Sequence, residues 1–151
     1  MQTTQMRAPM SGPMSAPAFL PAATHSYLER AASSLREAIT SSSVPERYAM
    51  AHVSALRATA ALLAAKARPM TSSRRKRQKN AWVLLAEVAP ELSEWAAFFA
   101  AGADKRAAAE AGSRRAVTER EADDLVRDAD RFLALVETLL GLTEHVPIRV
   151  A

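Results

Sequence analysis

Cysteine is absent from the 151-residue chain, which excludes disulfides and thiolate metal sites and suits a reducing compartment, so a cytoplasmic location is expected. Glycine occurs only 4 times, and aromatic residues make up 5% of the chain. Few glycines beside abundant alanine favour helices over an open sheet, and few large rings mean that a core must come from close helix contacts. No stretch approaches the ~20 consecutive apolar residues that a membrane helix needs, so no membrane association is expected. Met1 to Pro21 hold no sustained apolar run after Arg7, so no secretory signal is expected there. Phosphate loops rich in glycine, Ser-His-Asp sets and paired catalytic carboxylates are also missing, so no hydrolase or kinase motif stands out. No cofactor and no metal are implied.

What remains is helical. The hydrophobic share is 49%, ample for one domain. Residues 1–23 are spaced by Pro9, Pro13, Pro17 and Pro21 and hold little apolar surface to offset ordering, so they read as a disordered tail. From about Ser26 to Thr40, Leu28, Ala31, Leu35 and Ala38 form one stripe. Ser43-x-x-Glu46 reads as a capping box with Pro45 in the first turn, opening a second helix through His52, Leu56 and Leu63. A third stripe carries Trp82, Leu85, Ala89, Leu92, Trp95 and Phe99 across Pro90, where a kink or short break without a change of direction is expected. Thr118-x-x-Glu121 opens a last helix whose stripe runs from Ala122 through Leu125, Val126, Phe132 and Val136 to Leu139 and Leu140, with Gly141 as its C-cap. The fold expected is all-α, a four- to five-helix up-and-down bundle over residues 24–142, with residues 143–151 as a C-terminal extension.

Charge is unevenly placed. Lys66, Arg68, Arg74, Arg75, Lys76, Arg77 and Lys79 lie in one acid-free segment, and without these seven the remaining 13 basic residues face 16 acids, a balance of −3. A focused patch attracts polyanions. Arg74, Arg75, Lys76, Arg77 and Lys79 are therefore candidate contacts to RNA or DNA phosphates, made without reading sequence, or to an acidic protein partner. The alternative is a solvated start to a helix. In the last helix Asp124 and Asp128 share a face, but the arginines interleaved with them read as an ion-paired surface rather than a cation site.

The blocks Pro45-Glu46-Arg47-Tyr48-Ala49-Met50-Ala51-His52 and Asn80-Ala81-Trp82-Val83-Leu84-Leu85-Ala86-Glu87-Val88-Ala89-Pro90 resemble the HEPN superfamily of helical bundles, in particular the actinobacterial SAV_6107-like HEPN family. Glu94-Trp95-Ala96-Ala97-Phe98-Phe99 and Glu121-Ala122-Asp123-Asp124-Leu125 extend the resemblance, which spans about Ser43 to Leu140. It implies a four- or five-helix bundle that often forms dimers. Many HEPN proteins are metal-independent ribonucleases in which an Arg, followed four to six residues later by a His on a late helix, meets its copy across the dimer. There the Arg stabilises phosphate charge and the His serves in acid-base work.

This chain has no histidine between Thr118 and Leu140. Only Arg47-x4-His52 has the family's spacing, and it lies on the second helix. Five residues at about 100° each put the two side chains roughly 140° apart around that helix. Three readings therefore stand: a non-catalytic, homodimeric binding module using the basic run; a metal-independent endoribonuclease using Arg47 and His52; and a protein-protein interaction module.

Overall fold

The computed structural model describes residues 19–66 and 74–150, with the backbone alone over 74–80. The expected tail, apart from its last five residues, and the side chains of the basic run lie outside the described residues. The rest forms six α-helices and one 3-10 turn, with no strand among the described residues.

Helix α1 spans Ala22–Thr40 and α2 spans Val44–Ala65. The first begins four residues before the expected start, because Pro21 ends the extended segment and its carbonyl accepts from Thr24 N–H at 3.0 Å. The two helices form an antiparallel hairpin stitched along its length. Thr24 donates to the Ala61 carbonyl at 3.0 Å, Ser54 to the Ala31 carbonyl at 2.7 Å, and Arg57 to the Ser34 hydroxyl at 2.8 Å. Hydroxyls reach backbone carbonyls of a facing helix only where side chains are small. Ala31 and Ala38 of α1 and Ala51, Ala55, Ala58 and Ala61 of α2 have no exposure. The buried Thr24 and Ser54 hydroxyls thereby gain the partners that burial would otherwise deny them, while that of Thr59 finds none among the described residues.

The start of α2 is capped as its sequence implies, with Ser43 Oγ accepting from Glu46 N–H at 3.3 Å. The box is only half made: Ser43 N–H donates to Ser41 Oγ at 3.2 Å instead of to the Glu46 carboxylate. Beyond it α2 is buried on several sides, since it packs on α1, α3, α5 and α6.

Helix α3 spans Arg74–Val88, Pro90–Leu92 form the 3-10 turn, and α4 spans Ser93–Ala101. Here the expectation of an undeflected third helix is corrected. Trp82 and Phe99 would stand about 25 Å apart in one straight helix at 1.5 Å per residue, yet their rings stack at 5.3 Å. The chain folds back at Pro90. Proline holds Ala89 in an extended conformation, φ −139° and ψ 76°, and Ser93 Oγ donates to the Pro90 carbonyl at 2.6 Å.

Helix α5 spans Ala103–Glu110, and α6 spans Glu119–Leu139. The Thr118 capping box is complete: Glu121 N–H reaches Thr118 Oγ1 at 3.1 Å, and Thr118 N–H reaches Glu121 Oε1 at 2.9 Å. Gly141, at φ 76°, closes α6 in a Schellman motif, with Leu142 N–H on the Glu137 carbonyl at 2.9 Å and Gly141 N–H on the Thr138 carbonyl at 3.0 Å. Gly112, at φ 90°, closes α5 in the same way. Leu139, expected in the apolar stripe, is 43% exposed. It shares an outward face of α6 with Leu135, 38% exposed, whereas Leu140 beside it is buried.

Five rings concentrate the large apolar surface in one place. Trp82, Trp95, Phe98, Phe99 and Phe132 form a chain of contacts with centroids 5.1–6.4 Å apart, and Phe99 and Phe132 are wholly buried within it. Residues 143–150 hold no helix but run back along α6. His145 lies between Glu137 and Asp130, and Ile148 and Val150 pack on the core.

Candidate functional site

Arg47 stands in the first turn of α2, where its guanidinium crosses to the start of α6. Nη1 donates to Asp123 Oδ1 at 2.7 Å and lies 3.9 Å from Glu119, while Nη2 donates to the Ser41 carbonyl at 3.2 Å. The side chain is 15% exposed and that of Asp123 19%. The charge is neutralised in place, and the contacts hold the α1–α2 turn against α6. The buried Nε has no partner among the described residues.

His52 lies more than a turn further along α2 and is 1% exposed. Its Nε2 lies 2.8 Å from the Phe99 carbonyl, and its ring meets Trp82 and Phe99 edge-on at 5.8 and 5.9 Å. A carbonyl can only accept, so the neutral ring carries its proton on Nε2. Nδ1 is buried without a partner among the described residues. Burial pushes the pKa down to about 4, with the Phe99 carbonyl opposing and the nearby Arg106 charge adding to the drop. At neutral pH the ring is an uncharged element of the aromatic cluster.

Arg47 and His52 make no contact with each other; one ends at Asp123 and Ser41, the other at Phe99. His52 instead borders a hollow of about 220 Å³, lined also by Tyr48, Phe98, Phe99, Gly102, Lys105 and Leu125, and not by Arg47. Gly102 makes room there for the Tyr48 hydroxyl, since a Cβ at that position would stand 3.0 Å from Tyr48 Oη. Burial raises the Tyr48 pKa, the Lys105 ammonium opposes the rise, and Glu121 adds to it. Lys105 is tied to Glu121 at 2.5 Å. That bond raises the pKa of Lys105 and is the main cause of the lowered pKa of Glu121. Sequence reasoning passed over Lys105, which stands in an alanine-rich stretch with no motif around it.

Two arginines of α6 pair with its acids, Arg127 with Asp124 at 3.0 Å and Arg131 with Asp128 at 3.5 Å. Among the described residues no group of three or more His, Asp or Glu side chains could hold a metal ion. His145, in the segment after α6, is bracketed by Glu137 at 2.6 Å and Asp130 at 2.5 Å. Both carboxylates outweigh its burial, and its pKa is raised.

Arg74 opens α3, so Arg74, Arg75, Lys76, Arg77 and Lys79 fall in its first two turns, and the first turn holds no acid. Cations at a helix N-terminus oppose the peptide dipoles, so an anion bound there would relieve the conflict. No helix among the described residues is long and apolar enough to cross a membrane. A family model for SAV_6107-like HEPN domains matches residues 38–137, from the end of α1 almost to the end of α6. No curated protein and no solved structure shows a significant match.

Proposed function

Since the chain belongs to the SAV_6107-like HEPN family, we propose that it is a non-catalytic HEPN-type binding module, a homodimer that engages RNA or DNA through the basic start of α3. The observation that carries this reading is the fate of the one Arg-x4-His pair. Arg47 is occupied by Asp123 and the Ser41 carbonyl, and His52 is a neutral ring closed in by Trp82 and Phe99. A ribonuclease needs a guanidinium free to meet phosphate and an imidazole able to exchange protons near neutral pH. The pairing of Arg47 and the burial of His52 run against both, which supports the binding reading over the nuclease. Leu135 and Leu139, exposed one turn apart on α6, support pairing of two copies.

Nucleic-acid binding is electrostatic in this reading. Each phosphate contact to duplex releases counterions, so the log-log salt slope is about −0.9 per contact, and about three to five contacts make affinity collapse between low and physiological salt. Changing Arg74, Arg75, Lys76, Arg77 and Lys79 together to Gln abolishes binding and leaves the far-UV helical signal intact, because Gln is an adequate helix former. A five-fold variant that binds duplex as tightly as the parent defeats the reading. So does cleavage of mixed RNA in EDTA that is lost in His52→Gln. A monomer mass by light scattering at tens of micromolar defeats the dimer.

A further inference from the structure

A second hollow, about 340 Å³, opens between α4 and α6 and is lined by Glu94, Trp95, Phe98 and Asp128. Its walls are two rings standing at 89° with centroids 6.4 Å apart. Phe98 is 47% exposed, although Phe99 beside it is wholly buried. The other two lining residues are carboxylates. Among the described residues Glu94 makes no ion pair, and Asp128 pairs with Arg131 alone, at 3.5 Å. The Arg131 side chain is 68% exposed, so that bond is held loosely.

We propose that this hollow binds the guanidinium of an arginine presented by a basic segment of a protein partner. Aromatic faces are electron-rich and attract cations, and a cation between perpendicular rings gains from both. The carboxylates set the sign of the guest: an anion would meet two like charges, and a neutral group would leave Asp128 with no more than its loose bond to Arg131. They also choose between cations. A guanidinium is planar, is less strongly hydrated than an ammonium, stacks on rings and offers donors in a fork that suits two separate carboxylates. The space is several times the ~30 Å³ that one water occupies in the liquid, enough for a side chain to enter. Exposed Phe98 and Glu94 leave the way in open.

Burial raises the pKa of Asp128; the charges of Arg131 and Arg127 oppose the rise, and that of Asp124 adds to it. Its carboxylate is thus incompletely compensated in the free protein, and a guest cation supplies what is missing. This site is separate from the polyanion contact proposed for α3: its side chains come from α4 and α6, and its guest has the opposite charge.

The test uses the full chain labelled with 15N and the probe acetyl-Ala-Arg-Ala-amide, with the isosteric citrulline tripeptide as its neutral counterpart. The Trp95 indole resonance, assigned through Trp95→Phe, shifts saturably with the arginine peptide in the millimolar range, as expected for a single anchoring side chain. The citrulline peptide leaves it in place. Glu94→Gln combined with Asp128→Asn weakens binding at least about tenfold, or about 1.4 kcal/mol. The Trp82 resonance, from the buried cluster, stays unshifted and reports that the fold is intact. Phe98→Ala weakens binding with both carboxylates present, which separates ring contacts from charge alone. Equal shifts from the two peptides overturn the proposal, as does a doubly substituted protein that binds like the parent. A Trp95 resonance that moves on diluting the free protein overturns it too, because a second copy would then fill the hollow.

Discussion

Acidification should destabilise the bundle through His52, and the size of the effect follows from its surroundings. The ring is held neutral in the fold, with its pKa pushed down from 6.5 to about 4. Between those two values the unfolded chain binds a proton at this position that the folded chain does not, so stability rises with pH across the window and falls as pH drops through it. At about 1.36 kcal/mol per pKa unit, the full loss by pH 4 is about 3 kcal/mol, a large share of a small domain's stability. His52→Leu removes the titration and the partnerless Nδ1 together. The Phe99 carbonyl keeps a partner in that variant, since it also accepts from Gly102 N–H at 3.1 Å. Urea unfolding at several pH values between 7 and 4 measures the difference. The stability gap between parent and variant should move by about 3 kcal/mol in the variant's favour on acidification, with a slope near one proton in mid-window. Parallel pH profiles for the two proteins would refute the reasoning. So would a His52 ring proton that titrates near 6.5 by NMR, because both outcomes require an imidazole in contact with water.

His145 should act with the opposite sign. Its raised pKa means that the clasp on Glu137 and Asp130 is fully made below pH 6.5 and loosens as pH rises through the folded value, so amides of residues 143–150 should exchange faster at high pH and His145→Gln should remove that dependence. Gly102→Ala should be neutral or destabilising with Tyr48 present, because the new Cβ meets Oη at 3.0 Å. In a Tyr48→Phe background the same change should gain up to about 1 kcal/mol of helix propensity in thermal unfolding. Arg47→Met and Asp123→Leu should each destabilise the fold more than the pair together, with a coupling of about 1–3 kcal/mol in a double-mutant cycle. Gly141→Ala, at φ 76°, should lower stability by about 1 kcal/mol in the same assay.

How far the sequence could be read depends on the distance over which each feature is decided. The caps at Ser43 and Thr118 and the glycine stop at Gly141 involve residues within one turn, and both the Thr118 box and the Gly141 stop form as spacing implies. Even here the Ser43 box is incomplete, because Ser41, two residues earlier, offers a competing acceptor. The pairing of Arg47 depends on Asp123, 76 residues on, and the hydrogen bond of His52 on Phe99, 47 residues on. Spacing can place two side chains around a helix, but it does not report what arrives opposite them.

The reversal at Pro90 shows the same limit in a sharper form. Trp82, Leu85, Ala89, Leu92, Ala96 and Phe99 are all buried, so the apolar period that links the two sides of the proline is real. Periodicity, however, records only which face is apolar, and that face reads alike whether the chain runs on or doubles back. Direction is decided by packing. A straight helix would carry Trp95 and Phe99 away from Trp82, and the chain has few other rings with which to fill a core. Folding back brings Phe99 onto Trp82 at 5.3 Å and Trp95 onto Phe132 at 5.6 Å. It also closes His52 in between Trp82 and Phe99 and leaves Phe98 at the rim beside Trp95. The neutral histidine and the aromatic hollow are therefore consequences of one turn. A substitution that straightened the chain at Pro90 would remove both together.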